Sequence, residues 1–313
     1  VSDQYLRKWS LILTEGSKAL DLSEMHIRFK VNQADNTAPN TASIRIYNLA
    51  DSTAQAIQKE YQSVVLQAGY ETGNFAVIFQ GTIAQIVRGR ESALDSFVEI
   101  HAADGDEAIN FACVSKSSAA AATSNADRIK VATDAMKPYG VDVGNVDLGD
   151  APETGGILPR GKVSFALASH QLDDVCASTA TTWSVQGGKI VIIPLTGYLP
   201  GEAVVLSAQT GLIGIPEATV DGINVRCLLN PLIRIGGRVQ IDNASINLTT
   251  VRQQFLYPNY SDANMIANPS SDGFYRVLVS EFTGDNRGNE WYSDLVCLAI
   301  DPSSVANKSV QAY

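Results

Sequence analysis

Three histidines, four cysteines and thirty-three acids are the residues of this 313-residue chain most able to do chemistry, and their spacing decides whether they do. His170 directly follows Ser169 and precedes Asp173 by three residues, so a Ser–His–Asp set can be written down. No GxSxG or comparable setting presents the hydroxyl as a nucleophile, and His170 is read as a surface or helix-capping residue. His101, Asp104 and Asp106 have a spacing that could offer three metal ligands. They fall at the end of a strand pattern, where a solvated turn accounts for them. Glycoside hydrolysis needs two carboxylates with separated pKa values across a groove, and neither Glu281/Asp285 nor Asp173/Asp174 has a spacing that marks such a pair. Neither GxxxxGK[ST] nor GxGxxG occurs, so no phosphate cradle is expected. Cys113, Cys176, Cys227 and Cys297 are widely spaced among apolar or small neighbours, which predicts buried reduced thiols rather than disulfides or a zinc site. The expectation is a protein with no catalytic residues, no cofactor and no metal.

The elements must then explain the chain as a shape. Its length exceeds what one hydrophobic core usually serves, so two or three domains are expected. Hydrophobic residues at 45% and charged residues at 18% fit an ordered globular protein. A net charge of -10 argues against a duplex-binding surface, which needs Lys/Arg patches, yet suits a wall past which DNA slides without sticking. Val1–Ser10 is polar and carries Asp3, Arg7 and Lys8, so no signal peptide is read there and a cytosolic origin is expected. The longest apolar run, Lys189–Leu195, contains Pro194 and is far too short to span a bilayer.

Residues 1–104 read as β. Leu6–Thr14 and Met25–Asn32 alternate, the second with Met25, Ile27, Phe29 and Val31 against His26, Arg28 and Lys30. A strand at Ala42–Leu49 follows, then a short helix Thr53–Tyr61 that Asp51 or Ser52 could cap, then a strand Ser63–Tyr70. Phe75–Gly89 and Ser96–Ala103 make a long hairpin. Residues 105–200 change character: helical spacing at Ala108, Phe111 and Ala112 opens Gly105–Ala122, whose Ser/Ala-rich end either extends the helix or connects, the reading adopted being a short helix that frays; a second helix follows over Asn125–Tyr139, then a loop with short strands to Lys162. A third helix, Ser164–Thr179, is expected with Phe165, Leu167, Ala168, Leu172, Val175 and Cys176 inward. Thr182–Gln186 and Lys189–Ile193 flank Gly187-Gly188, whose freedom at positive φ is a hairpin signal. Residues 201–302 return to β. Pro231 ends a strand Ile223–Leu229, and Gly236-Gly237 re-aims the chain into Arg238–Ile241. An Asn-rich insertion, 249–272, precedes the closing hairpin Phe274–Phe282 and Trp291–Ile300, and 303–313 is a polar tail. Trp9, Trp183 and Trp291 are read as core residues. The hairpins Phe79–Asp104 and Gly273–Asp301 share a long strand, a polar turn and a strand ending in Asp, which points to an internal duplication around an inserted domain.

Several of these stretches resemble the baseplate hub proteins of contractile-tailed bacteriophages, which are similar to the base of type VI secretion spikes. The most specific run is Gly211, Leu212, Ile213, Gly214, Pro216, Asp221, Gly222, Leu228, Leu229, Asn230, Pro231 and Gly236. Tyr47, Asn48, Leu49, Ala68, Gly69, Tyr70 and Gly81 match the first barrel of such hubs. Trp183, Gly188 and Pro194 match a middle hairpin, and Gly284, Asp285, Gly288 and Asn289 the last turn. The resemblance implies a mainly β protein with a smaller α/β middle domain and two tube-like β-barrels. It implies a structural, non-enzymatic homotrimer whose pseudo-sixfold ring joins a sixfold tail tube to a threefold central spike and forms part of the channel for DNA. Its partners would be a second and third copy, the spike protein and the tube protein, with tape-measure and baseplate wedge proteins as further neighbours. The place would be the virion baseplate, assembled in the host bacterial cytoplasm. Beside it stand a carbohydrate-binding β-sandwich, for which Phe255, Tyr257 and Tyr260 are the aromatic cluster, and a cell-wall hydrolase at the tail tip.

Overall fold

The computed structural model describes residues 4–118, 123–149, 160–219, 222–242 and 273–299. The first β region comprises β1 (Arg7–Glu15), β2 (Lys18–Asp21), β3 (Ile27–Ala34), β4 (Asn40–Tyr47), helix α1 (Asp51–Glu60), β5 (Ser63–Tyr70), β6 (Phe75–Arg90) and β7 (Ser96–Asp104). The middle region holds α2 (Asp106–Phe111), β8 (Cys113–Ser118), α3 (Asn125–Met136), β9 (Asp142–Val146), β10 (Lys162–Leu167), α4 (Ala168–Thr179), β11 (Thr181–Val185) and β12 (Lys189–Pro194). The second β region has β13 (Val204–Leu206), β14 (Leu212–Thr219), β15 (Gly222–Leu228), β16 (Arg238–Ile241), β17 (Phe274–Asp285) and β18 (Trp291–Leu298).

Period-two alternation builds the first core. Ile27, Phe29 and Val31 of β3 are buried while Arg28 and Lys30 face away, and β4 repeats this with Ile44 and Ile46. Leu11 and Leu13 of β1 meet Ile27 and Phe29 in one cluster, so the ends of the path β3-β4-β7-β6-β5-β1 curl back around a shared interior. The second region curls likewise: Leu206 of β13 and Ala218 of β14 lie in one core with Val277 and Cys297. A third core, with Ile129, Met136, Leu172 and Trp183, belongs to the middle region.

The duplication holds for five strands. The second region runs β14-β15-β18-β17-β16-β13, so β14, β15, β16, β17 and β18 stand where β3, β4, β5, β6 and β7 do. Register shifts in the two long strands fall at the same place, between Ile83 and Gln85 and between Val277 and Val279. Just before each shift, Ile83 N–H bonds Gln62 O and Val277 N–H bonds Gly237 O. Arg45 faces Glu99 across β4 and β7 as Arg226 faces Asp294 across β15 and β18. Each guanidinium pairs with its carboxylate, at 2.8 and 2.6 Å, and lies over an aromatic ring, Phe97 at 4.3 Å and Tyr292 at 5.6 Å. The copies differ in connection. The turn at residues 229–237 stands in place of α1, and β13 pairs with β16 in parallel whereas β1 pairs with β5 antiparallel.

Four expectations need correction. The helix after Gly105 is short, ending at Phe111, but the run beyond it does not fray: Cys113–Ser118 pairs as β8 with β10, because a Ser-rich run favours helix weakly and Val114 has a core to enter. Lys162–Leu167 is that partner strand, so α4 starts only at Ala168 and Phe165 is 84% exposed instead of inward. Cys113 is exposed, while burial pushes the Cys176 thiol up to about 11 and Cys227 to about 12. Helix α1 begins at Asp51 behind Ala50 with no side-chain cap, and Asp51 instead accepts from Arg88. Asp221, the 249–272 insertion with Phe255, Tyr257 and Tyr260, the Ala-rich 119–122 and the tail 303–313 lie outside the described residues.

Candidate functional site at the junction of the two β modules

The strand pattern ended β17 at Phe282, but the strand runs on to Asp285, and that overrun joins the modules. Residues Val279–Asp285 pair antiparallel with Ala34–Arg28 of β3, so one sheet of thirteen strands passes through both regions. Gly284 sits opposite Phe29, and a Cβ there would lie 2.3 Å from the ring's Cζ; only glycine admits the close approach. Phe29 meets Trp291 edge-on at 5.5 Å between centroids, and Leu229 is buried in the same cluster.

Polar groups lock the rim of this seam. His26 stacks on Tyr47 at 4.4 Å and its Nε2 lies 2.9 Å from Asp285 Oδ1, a link between residues 259 apart. Burial alone would raise the Asp285 pKa, but the N–H groups of Arg287 and Gly288 and the His26 ring outweigh it and hold the carboxyl below its usual range. Arg7 donates to the carbonyls of Asp285, Gly288 and Asn289 and lies over Trp291 at 5.4 Å. Asn48 turns the chain out of β4 at φ 54, and its N–H bonds Ser96 O as Leu229 N–H bonds Trp291 O.

The middle region is held at the same junction. Asp104, 2% exposed, ends β7 and accepts the N–H groups of Gly187 and Gly188 at 2.6 and 2.9 Å; both glycines take positive φ in the β11–β12 turn. Asn40 Nδ2 donates to Val185 O at 2.7 Å. Arg276, 2% exposed, donates through Nη1 to Pro194 O at 2.7 Å and Gly197 O at 3.1 Å and through Nη2 to the Asp35 carboxylate, so it touches all three regions. A cavity of about 710 Å³ between them is lined by Gln33, Phe79, Asp104, Lys189, Pro231 and Arg234 among others.

Burial raises the Asp104 carboxyl from 3.8 to about 6, opposed by the two glycine N–H groups. Between these values the native protein holds a proton that the unfolded chain has lost, so this group's contribution to stability falls as pH rises through that window. Unfolding free energies of the wild type and of Asp104→Asn, compared from pH 4 to pH 7, are expected to shift in favour of the variant by up to about 3 kcal/mol as pH rises. A difference that stays flat with pH contradicts the assignment.

The candidate chemistry is not brought together. His101 and Asp104 point to opposite faces of β7, and Asp106 is engaged with Asn110. Ser169 donates to Ile109 O, His170 is exposed, and Asp173 accepts the Trp183 indole N–H at 2.8 Å. Asp174 pairs with Lys162, and Glu281 with Lys30 across the seam.

Of the residues singled out in the sequence, Tyr47, Asn48, Leu49, Leu229, Asn230, Gly284 and Asp285 lie at or beside the seam. Trp183 and Gly188 lie in the middle hairpin, with Gly236 packed on Ile193 and Pro231 lining the cavity. Gly69 and Gly81 sit within β5 and β6, and Gly211, Gly214 and Pro216 shape β14. Arg276, Asp35 and Asn40 were missed. A charge inside the apolar run FYRVLV was the one signal for Arg276.

No protein-family model and no curated protein matches the sequence. Solved structures match in fold. The 43 kDa tail protein of prophage MuSo2 from Shewanella oneidensis aligns over 93% of this chain and 98% of its own, at 9% identity and a TM-score of 0.56. A tail protein from Neisseria meningitidis MC58 aligns over 94% and 96%, at 8% identity and 0.55. The E. coli c3393 protein aligns over 89% and 74%, at 7% identity and 0.52; it is a type VI secretion component with structural similarity to the T4 bacteriophage tail proteins gp27 and gp5. The chain therefore has the hub-like fold of phage tail proteins, mainly β with two duplicated barrels and an α/β region between them.

Proposed function

We propose that this chain is a structural, non-enzymatic baseplate hub: a homotrimer that joins a sixfold tail tube to a threefold central spike and lines part of the channel for DNA. The observation that carries this is the duplication in register, down to the shared bulge and the two arginine–carboxylate–aromatic sets. Three copies of a chain with two like modules present six like positions to one neighbour and three identical chains to another. The net charge of -10 suits passage of DNA without retention. In this reading residues 1–104 and 201–302 are the tube-like domains, 105–200 decorates the ring or meets the spike, and 303–313 is a tail. The quoted glycine, proline and aromatic positions hold the shape rather than bind a ligand. Spike and tube proteins are the principal partners, tape-measure and wedge proteins adjoin them, and the place is the virion baseplate after assembly in the host cytoplasm.

Light scattering across a concentration series, with and without the candidate spike protein, tests the reading. The expected mass is three chains, reached alone or on adding the spike. A single chain under every condition contradicts it.

A further inference from the structure

Among the described residues, every guanidinium that lies on an aromatic ring is also well met by oxygen, with one exception. Arg45 on Phe97 has Glu99, Arg226 on Tyr292 has Asp294, and Arg7 on Trp291 has three carbonyls. Arg238, the first residue of β16, lies over two rings, 5.8 Å from the Tyr198 centroid and 5.3 Å from that of Phe274. Its one hydrogen bond is long, from Nη2 to Gly201 O at 3.4 Å, and its Nε is buried with no acceptor among the described residues. The rings fix the plane of this guanidinium before any ligand arrives. A buried donor without an acceptor costs free energy until one is supplied.

Arg238 lines a cleft of about 540 Å³ between the two β modules, to which the first contributes Gln4 and Asn74 and the second Asn230 and Arg234. Arg234 is exposed and likewise has no acid beside it among the described residues. Gly237 N–H bonds Arg234 O at 3.0 Å, which folds the chain tightly between the two arginines. Asn230 is 8% exposed and its Oδ1 is taken by Leu232 N–H at 3.1 Å, so its side-chain amide offers the cleft donors only. Among the described residues the one acid on the wall is Glu202, and it pairs with neither arginine.

We propose that this cleft is a carboxylate-binding site, with Arg238 as the fork that receives the two oxygens, Arg234 as a second cation and Asn230 as a donor beside them. The carboxylate is that of a small acid or of an Asp or Glu side chain on a peptide; the chemistry that recognises it is the same. A planar carboxylate is expected in place of a phosphate for two reasons. The Arg45 and Arg226 sets, which share the ring-backed guanidinium, are both completed by planar carboxylates. Glu202 on the wall opposes the second negative charge that a phosphate would bring. Since both modules form the wall, an occupant ties them together at a place separate from the β3–β17 pairing. The site is the same whether the chain stands alone or in a ring.

The test is NMR of the arginine Nε–H signals in the full chain, titrated at constant ionic strength with glutarate, with a capped Gly-Glu-Gly-Glu-Gly peptide, with its Gln counterpart, and with inorganic phosphate. The Arg238 and Arg234 signals are identified as those missing from Arg238→Lys and Arg234→Gln. A saturating shift of the Arg238 signal is expected with glutarate or the Glu peptide, and none with the Gln peptide. Arg238→Lys keeps the charge but loses the fork, and is expected to weaken binding on the order of tenfold as read on Arg234. Arg234→Gln, at an exposed position, is read on Arg238, is expected to weaken binding as well, and serves should the first variant not fold. Arg90→Gln, outside the cleft, leaves the affinity unchanged. Saturation by glutarate alone upholds a site for a free acid, and saturation by the Glu peptide alone upholds a site for a protein segment. No saturable shift with either, equal binding of the Gln peptide, tighter binding of phosphate, or wild-type affinity in both cleft variants overturns the proposal.

Discussion

Arg276→Ala is expected to destabilise the protein by about 3–5 kcal/mol in denaturant-induced unfolding. The side chain is almost wholly enclosed, and its removal strands three groups at once: the buried Asp35 carboxylate and the carbonyls of Pro194 and Gly197. Desolvating a charge without its partner is what makes a single deletion so costly. The double variant Arg276→Ala/Asp35→Ala is therefore expected to lose less than the sum of the two single changes, since no lone charge is left. A single-variant loss below about 1 kcal/mol, in the range of an exposed pair, contradicts a buried three-way contact.

Trp291→Ala is the second large effect, about 3–5 kcal/mol. Trp291 belongs by chain order to the second module, yet its ring lies in the core of the first, edge-on to Phe29 and beneath Arg7. Removing it opens a cavity at the seam and detaches Arg7 from its aromatic support. Its indole N–H has no acceptor among the described residues, so Trp291→Phe gives up no hydrogen bond and keeps an aromatic ring against Phe29. Thermal unfolding should rank wild type above Phe and Phe well above Ala. Equal losses for Phe and Ala would contradict this, because the ring that Phe retains would then contribute nothing at the seam.

The strands with one buried face were legible because burial on a single side forces period-two alternation, as in β3 and β4; the β11–β12 hairpin, buried almost throughout, was legible through its two glycines instead. β8 and β10 were not. They form a two-stranded ribbon with Phe165 and Val163 outward, so the apolar period that should have marked a strand reads as a helix face. The duplication was visible only as two similar hairpins, because strand order and bulge position are pairing properties and leave little trace in residue type. The seam was hidden for a related reason. Thr283, Gly284 and Asp285 look like turn residues, and the feature that makes them strand is a partner some 250 residues earlier. Asp104 was noticed for the wrong chemistry: its position at the strand end was legible, but its partners are backbone N–H groups of a turn far along the chain. Arg276 and Asp35, 241 residues apart, could not be paired by any local pattern.

In the proposed hub, two like modules per chain build one ring of six like positions. End-on electron-microscopy averages of the assembled protein, alone or with its spike, test it most directly. Six near-equivalent lobes around a central channel with true threefold symmetry are expected, alternate lobes differing at the place where α1 in one module gives way to the turn at residues 229–237 in the other. Twofold particles, or single chains with no ring under any condition, would contradict it.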